Sequence, residues 1–219
     1  MDAAEVLGRL RALADPARLA GMARHGVGGA ETLGVTVAEL RVLAEQLGRS
    51  HELAAGLWAS GVHEARILAS LVEDPAAVTG RQLDEWAAAF DSWDLCDQVC
   101  QNLVRHTPFA WERALAWSAR PEPFVKRAGF AVMAGLAVAD ERSGDERFEP
   151  FLRAVAERAD DDRPLVRKGA SWALRQIGKR SPGLRARAVE TAQQLRSGGR
   201  GARWVGTDAL RELERRSPR

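Results

Sequence analysis

The chain of 219 residues is 46% hydrophobic and 28% charged, with a net charge of +2 and two cysteines. That length and composition fit a single globular domain over 1–219 with a sizeable core, and two cysteines make no disulfide framework. No apolar run approaches the roughly 18 residues that cross a membrane. The first twenty residues scatter Asp2, Glu5, Arg9, Arg11 and Asp15, so the order of a signal peptide is missing and a cytoplasmic, reducing location is expected.

There is no tyrosine, and long runs of Ala, Leu, Arg and Glu favour helix throughout. Val6, Leu7, Leu10 and Leu13 line one face of a helix over 3–14. Asp15-Pro16 restarts the chain into a short helix over 16–24, followed by the loop His25-Gly26-Val27-Gly28-Gly29. Thr36 with Glu39 is a capping box, and Val37, Leu40, Leu43, Ala44 and Leu47 follow on one face. Helices over 50–59 and 63–72 are split by Ser60-Gly61, Asp74-Pro75 turns the chain, and Thr79 caps a helix over 80–90. Further helices are expected over 93–105, 109–119, 124–139, 146–159, 164–178, 184–196 and 204–216, about twelve in all. Prolines, an acidic turn at 160–162 and a Gly-rich loop at 197–201 separate them.

The chain repeats. FVKRAGFAVMAGLAV at 124–138 aligns with LVRKGASWALRQIGK at 165–179, an offset of 41 residues, and Ala173-Leu174-Arg175 recurs as Ala209-Leu210-Arg211. A period near 40 with two helices per unit is the signature of a HEAT-type α-solenoid. The net charge hides an asymmetry. Residues 1–109 hold 9 basic and 15 acidic residues, residues 110–219 hold 23 and 15, and 163–200 holds ten basic residues against Glu190 alone. Such a split points to a polyanionic partner, and the solenoid is expected to curve around a concave basic face. A solvated arginine-rich surface is the alternative.

The densest motif is Asp91-Ser92-Trp93-Asp94-Leu95-Cys96-Asp97. On a helix Trp93 and Asp97 share a face while Asp94 turns about 100° away. Taken alone, Trp93 is equally a core anchor at a helix start, with Asp91 or Ser92 as cap. Lys126-Arg127 opens the helix of the next unit and Arg167-Lys168 the one after. Helix starts attract anions, and arginine adds bidentate donors, so these pairs are expected to track a nucleic-acid backbone. Trp172 follows Lys168 by one turn and takes the place that Ala131 holds one unit earlier, so it is either a local packing change or a stacking surface. A carboxylate beside aromatic rings in a basic groove suits cleavage of the N-glycosidic bond of an alkylated purine, because the sugar becomes cationic as the bond breaks. Cys96, Cys100 and His106 lack a fourth ligand, so no metal is expected, and no nucleotide-binding loop or hydrolase triad is visible.

The motifs 92–97, 124–128 and 165–175, in order on a helical repeat of about 40 residues, resemble the AlkD-like family of DNA alkylation repair proteins, HEAT-like repeat DNA glycosylases. The resemblance covers about residues 5–215. It implies excision of cationic N3- and N7-alkylpurines from duplex DNA, without cofactor or metal. The resemblance makes Asp97 the catalytic aspartate, places Trp93 and Trp172 at the lesion nucleotide, and makes Arg127 a phosphate contact, to which the basic register adds Lys126, Arg167, Lys168 and Arg175. No oligomerisation signal stands out, so a monomer is the default expectation. Active members carry a tyrosine before the loop that here reads Arg24-His25-Gly26-Val27, where His25 offers the ring instead. A non-catalytic DNA-binding HEAT protein and a protein-binding scaffold are the other readings.

Overall fold

A computed structural model describes residues 1–29 and 31–215, arranged as two compact units, 1–108 and 109–219. Among the described residues there are thirteen α-helices, and extended backbone pairs only at an isolated bridge between Glu31 and Val62. The expected last position of the final helix, Arg216, lies outside the described residues.

The first unit holds α1 (Ala3–Ala12), α2 (Pro16–Arg24), α3 (Val37–Leu47), α4 (His51–Ala59), α5 (His63–Val72), α6 (Gly80–Ala88) and α7 (Trp93–Asn102). Their starts are written locally. Asp2 with Glu5 and Thr36 with Glu39 close reciprocal capping boxes, and Thr79 accepts from the Gln82 amide. α5 is the central element, with every residue but Leu71 buried. It packs against α3, α4 and α7. Because it has no solvent face, its polar side chains must find partners inside the unit. The Glu64 carboxylate accepts from the Leu33 and Gly34 amides at 2.9 and 2.7 Å. Trp58 and Trp86 stack at 4.0 Å between ring centroids, with the Arg66 guanidinium over Trp58 at 4.7 Å. α7 ends earlier than the expected 105, and a 3-10 turn over Val104–His106 follows.

The second unit holds α8 (Ala110–Ser118), α9 (Pro123–Ala139), α10 (Glu149–Arg158), α11 (Pro164–Arg180), α12 (Pro182–Leu195) and α13 (Arg200–Leu213). The repeat is visible at the level of boundaries. α9 and α11 each have 17 residues, each opens on proline, and their ends keep the 41-residue offset. Proline at the first helical position has no amide to leave unpaired, which makes it a clean start. The same rule explains a boundary the sequence misplaces. Pro182 and Gly183 read as a break, but Ser181 caps the Leu184 amide and α12 begins at Pro182. α9 packs against α8 and α11, and α11 against α12 and α13. Trp111 stacks on Phe151 at 4.8 Å beside Phe148, with Arg147 over the indole at 4.0 Å.

The approach of α8 to α9 depends on Gly129, where a methyl group would overlap the Ser118 amide nitrogen and the Ala114 carbonyl oxygen. Gly8, on the exposed side of α1, has nothing within 4 Å of such a methyl. The two glycines should therefore respond oppositely to alanine in thermal denaturation. Gly129→Ala is expected to destabilise by about 1–3 kcal/mol through overpacking, while Gly8→Ala should stabilise by about 0.5–1 kcal/mol.

Candidate nucleic-acid site

α7 begins abruptly. Ser92 is extended (φ −145°, ψ 155°), its side chain makes no cap hydrogen bond, and Trp93 is the first helical residue. The two carboxylates nearest the indole are both tied to α5. Asp91 accepts from Arg66 Nη1 at 2.9 Å, and Asp94 Oδ2 accepts from His63 Nε2 at 2.8 Å. Burial works against the Asp94 charge, but the His63 hydrogen bond and the nearby His63 charge outweigh it and hold the carboxyl below its usual range. A carboxylate in that state only accepts, so the shared hydrogen belongs to His63 Nε2. His63 Nδ1 and Asp94 Oδ1 are buried without a further hydrogen bond.

Trp93 and Asp97 lie one turn apart on α7. Trp93 is 38% exposed and Asp97 is half-buried. The indole Nε1–H donates to the His25 carbonyl oxygen at 2.9 Å, and the backbone of Gly26, at φ +65°, lies beside the same ring. The loop after α2 therefore holds the edge of Trp93, and it does so through the backbone of His25 rather than through an imidazole ring. Neither His63 nor Arg66 stood out in the sequence. Each sits 25–31 residues from its partner, and contacts of that range leave no periodic trace.

In the second unit the basic pairs keep their expected places at the starts of α9 and α11. Lys126 Nζ pairs with Asp161 at 3.0 Å. Arg127 is buried and donates to the Leu165 carbonyl at 2.6 Å. The Arg167 guanidinium lies 4.8 Å from the Trp204 ring centroid, and Arg175 pairs with Glu212 at 2.6 Å. Among these five cations Lys168 is the exposed one. Trp172, one turn further, is half-buried, so part of its ring reaches solvent. Asp161 is doubly held: hydrogen bonds from Arg163 and Lys126 outweigh the opposing effect of burial and push its carboxyl well below the usual range. Cys96 and Cys100 are buried and form no disulfide. Among the described residues no group of three His, Cys, Asp or Glu side chains could hold a metal ion, and no helix is long and apolar enough to cross a membrane.

A family profile described as DNA alkylation repair enzyme matches residues 6–213. The chain belongs to the DNA alkylation repair enzyme family. A solved structure described as one of a new family of proteins related to the HEAT-like repeat DNA glycosylases, with affinity for branched DNA structures, superposes with a TM-score of 0.81. It shares 21% identity, over 98% of this chain and 95% of that one. At that identity the likeness establishes the fold, an all-helical HEAT-like repeat. No curated protein matches.

The His63–Asp94 contact makes a pH-dependent contribution with a defined sign. A carboxyl whose folded pKa is depressed stabilises fully above its unfolded value and loses that contribution as the pH falls through the folded pKa. Asp94→Ala should cost roughly 3 kcal/mol at neutral pH by leaving His63 without a partner. In urea unfolding the deficit should close as the pH falls below ~4. A deficit that does not shrink in acid would contradict the assignment.

Proposed function

We propose that this protein is a monofunctional DNA glycosylase that hydrolyses the N-glycosidic bond of cationic N3- and N7-alkylated purines in duplex DNA. The observation that carries the reading is the pair on α7, the exposed indole of Trp93 with the half-buried Asp97 carboxylate one turn away, in a chain of the DNA alkylation repair family.

The chemistry requires little machinery. An alkylated purine is already cationic, so it leaves with both electrons of the bond to C1′ and departs neutral. No acid has to protonate it, unlike the ordinary glycoside case with two carboxylates. What must be stabilised is the positive charge developing on the sugar, and Asp97 supplies the compensating charge. The same carboxylate orients a water whose oxygen adds to C1′ and whose proton is released. Trp93 and Trp172 offer π faces that favour the cationic base and sugar. Of the five cations expected at the phosphate backbone, Arg127 is buried on the Leu165 carbonyl and Arg167 lies over Trp204, so Lys168, with Lys126 and Arg175, carries the phosphate role. Lys168 is available without breaking an internal contact, whereas Lys126 must share Asp161 and Arg175 must share Glu212.

A second reading is a DNA-binding protein without excision. It is favoured by the affinity for branched DNA ascribed to the superposed structure and by the lack of any tyrosine in this chain.

The deciding experiment is release of free base from duplexes carrying 7-methylguanine and 3-methyladenine. Wild type should release base, and Asp97→Asn should be slower by roughly 10²–10³-fold, with DNA affinity nearly intact. If wild type releases nothing yet binds DNA tightly and in a salt-sensitive manner, the second reading replaces the first. The phosphate roles have their own measurement. Lys168→Ala should lower the slope of log affinity against log salt by about 0.9. Lys126→Ala should change it less, because Asp161 stays ionised and keeps that lysine neutralised.

A further inference from the structure

α11 meets α13 along one row of side chains. Arg167 lies over Trp204, Ser171 Oγ donates to Asp208 at 2.5 Å, and Arg175 pairs with Glu212. The match of Ala173-Leu174-Arg175 with Ala209-Leu210-Arg211 carries this row onto α13 with a shift of 36 residues. Arg167, Ser171 and Arg175 become Arg203, Thr207 and Arg211. α13 thus repeats, in kind and in spacing, the row with which α11 packs.

The two rows have opposite fates. On α11 the cations are covered by an indole and a carboxylate. On α13, Arg203, Thr207 and Arg211 are all exposed, and so is Arg200 one turn before Arg203. Among the described residues these three arginine side chains make no ion pair and no hydrogen bond. The acids of α13 cannot neutralise them. Asp208 and Glu212 sit about 100° around the helix and are held by Ser171, Arg175 and Lys179. The unit itself carries 23 basic against 15 acidic residues.

We infer that this face of α13 is a second nucleic-acid contact, in which Arg200, Arg203 and Arg211 grip the sugar–phosphate backbone of a second DNA arm; this rests on the DNA reading above. The partners of the α11 row define what such a row recognises: anionic oxygens and a flat π system at steps of about 6 Å. A nucleic-acid strand presents both, and arginine takes phosphate in bidentate fashion. A protein partner fits less well, because interfaces are built around an apolar centre and the row from Arg200 to Arg211 contains no apolar side chain.

The test compares a linear duplex with a three-way junction of the same total length, by fluorescence anisotropy between 50 and 200 mM salt. The proteins are wild type, R200A/R203A/R211A and Lys168→Ala. The triple variant should lose tenfold or more in junction affinity and lower the junction salt slope by about 2–3, while its affinity for linear duplex stays within about twofold. Unchanged junction binding would make the row a solvated face and overturn the inference. An equal loss on both DNAs would mean general charge attraction, and would overturn it too. A change in self-association with DNA binding intact would assign the face to a protein and overturn it likewise. The underlying reading fails separately: wild type would then bind neither DNA, or would bind linear duplex with no response to Lys168→Ala.

Discussion

α5 is buried along almost its whole length and yet carries His63, Glu64 and Arg66. A buried ionisable group without a partner costs several kcal/mol. The first unit can therefore close only when two separate segments, 33–34 and 91–94, arrive. The amides of Leu33 and Gly34 come to Glu64, Asp94 to His63 and Asp91 to Arg66. Two of these partners lie within four residues at the start of α7. That helix is positioned by tertiary contacts where its own N-cap side chain contributes none. Trp93 stands between the two tethered carboxylates, and Asp97 follows one turn along a helix whose origin is fixed.

The second unit uses charge in a similar way. Its long helices start at prolines, keep a common length and place cations on the side that meets the next element. Lys126, Arg167 and Arg175 are each answered by an acid or an indole from the following segment. Arginine and lysine here join neighbouring repeats, with their aliphatic stems packed and their heads paired. A basic composition is thus an ambiguous sign of polyanion binding. What separates a binding cation from a stacking one is whether the next repeat answers it. By that criterion Lys168 and the outward row of α13 stand apart from the rest.

Much of the fold was legible because its rules are local. The capping box at Thr36, the proline start at Pro16 and the 41-residue repeat are all written directly in the residue order, and α2 falls on its expected 16–24. Errors arose where a local signal has two meanings. Pro182-Gly183 can break a helix or open one, and the Ser181 hydroxyl decides for opening. The candidate site was legible in part. The placement of Trp93 and Asp97 one turn apart on α7 follows from helical spacing. The commitment of Asp94 to His63 does not, because it joins residues 31 apart in sequence. The ring expected from His25 is likewise replaced by its carbonyl, since the loop approaches Trp93 backbone first.

The composition of residues 91–97 then has a physical explanation. A site that stabilises a sugar cation needs a carboxylate held still, and a helix start is held still only if something outside the helix anchors it. Successive residues on a helix turn by about 100°, so one short segment can alternate between the two tasks. Asp91 and Asp94 are tied to Arg66 and His63 of α5. Trp93 is exposed and Asp97 half-buried one turn further on, where the proposed chemistry needs them. The hydrogen bond from the Trp93 indole to the His25 carbonyl further fixes the ring. Three carboxylates in seven residues are therefore not three candidates for one role. Two of them set the frame of α7, and the third, Asp97, follows one turn along the helix they anchor.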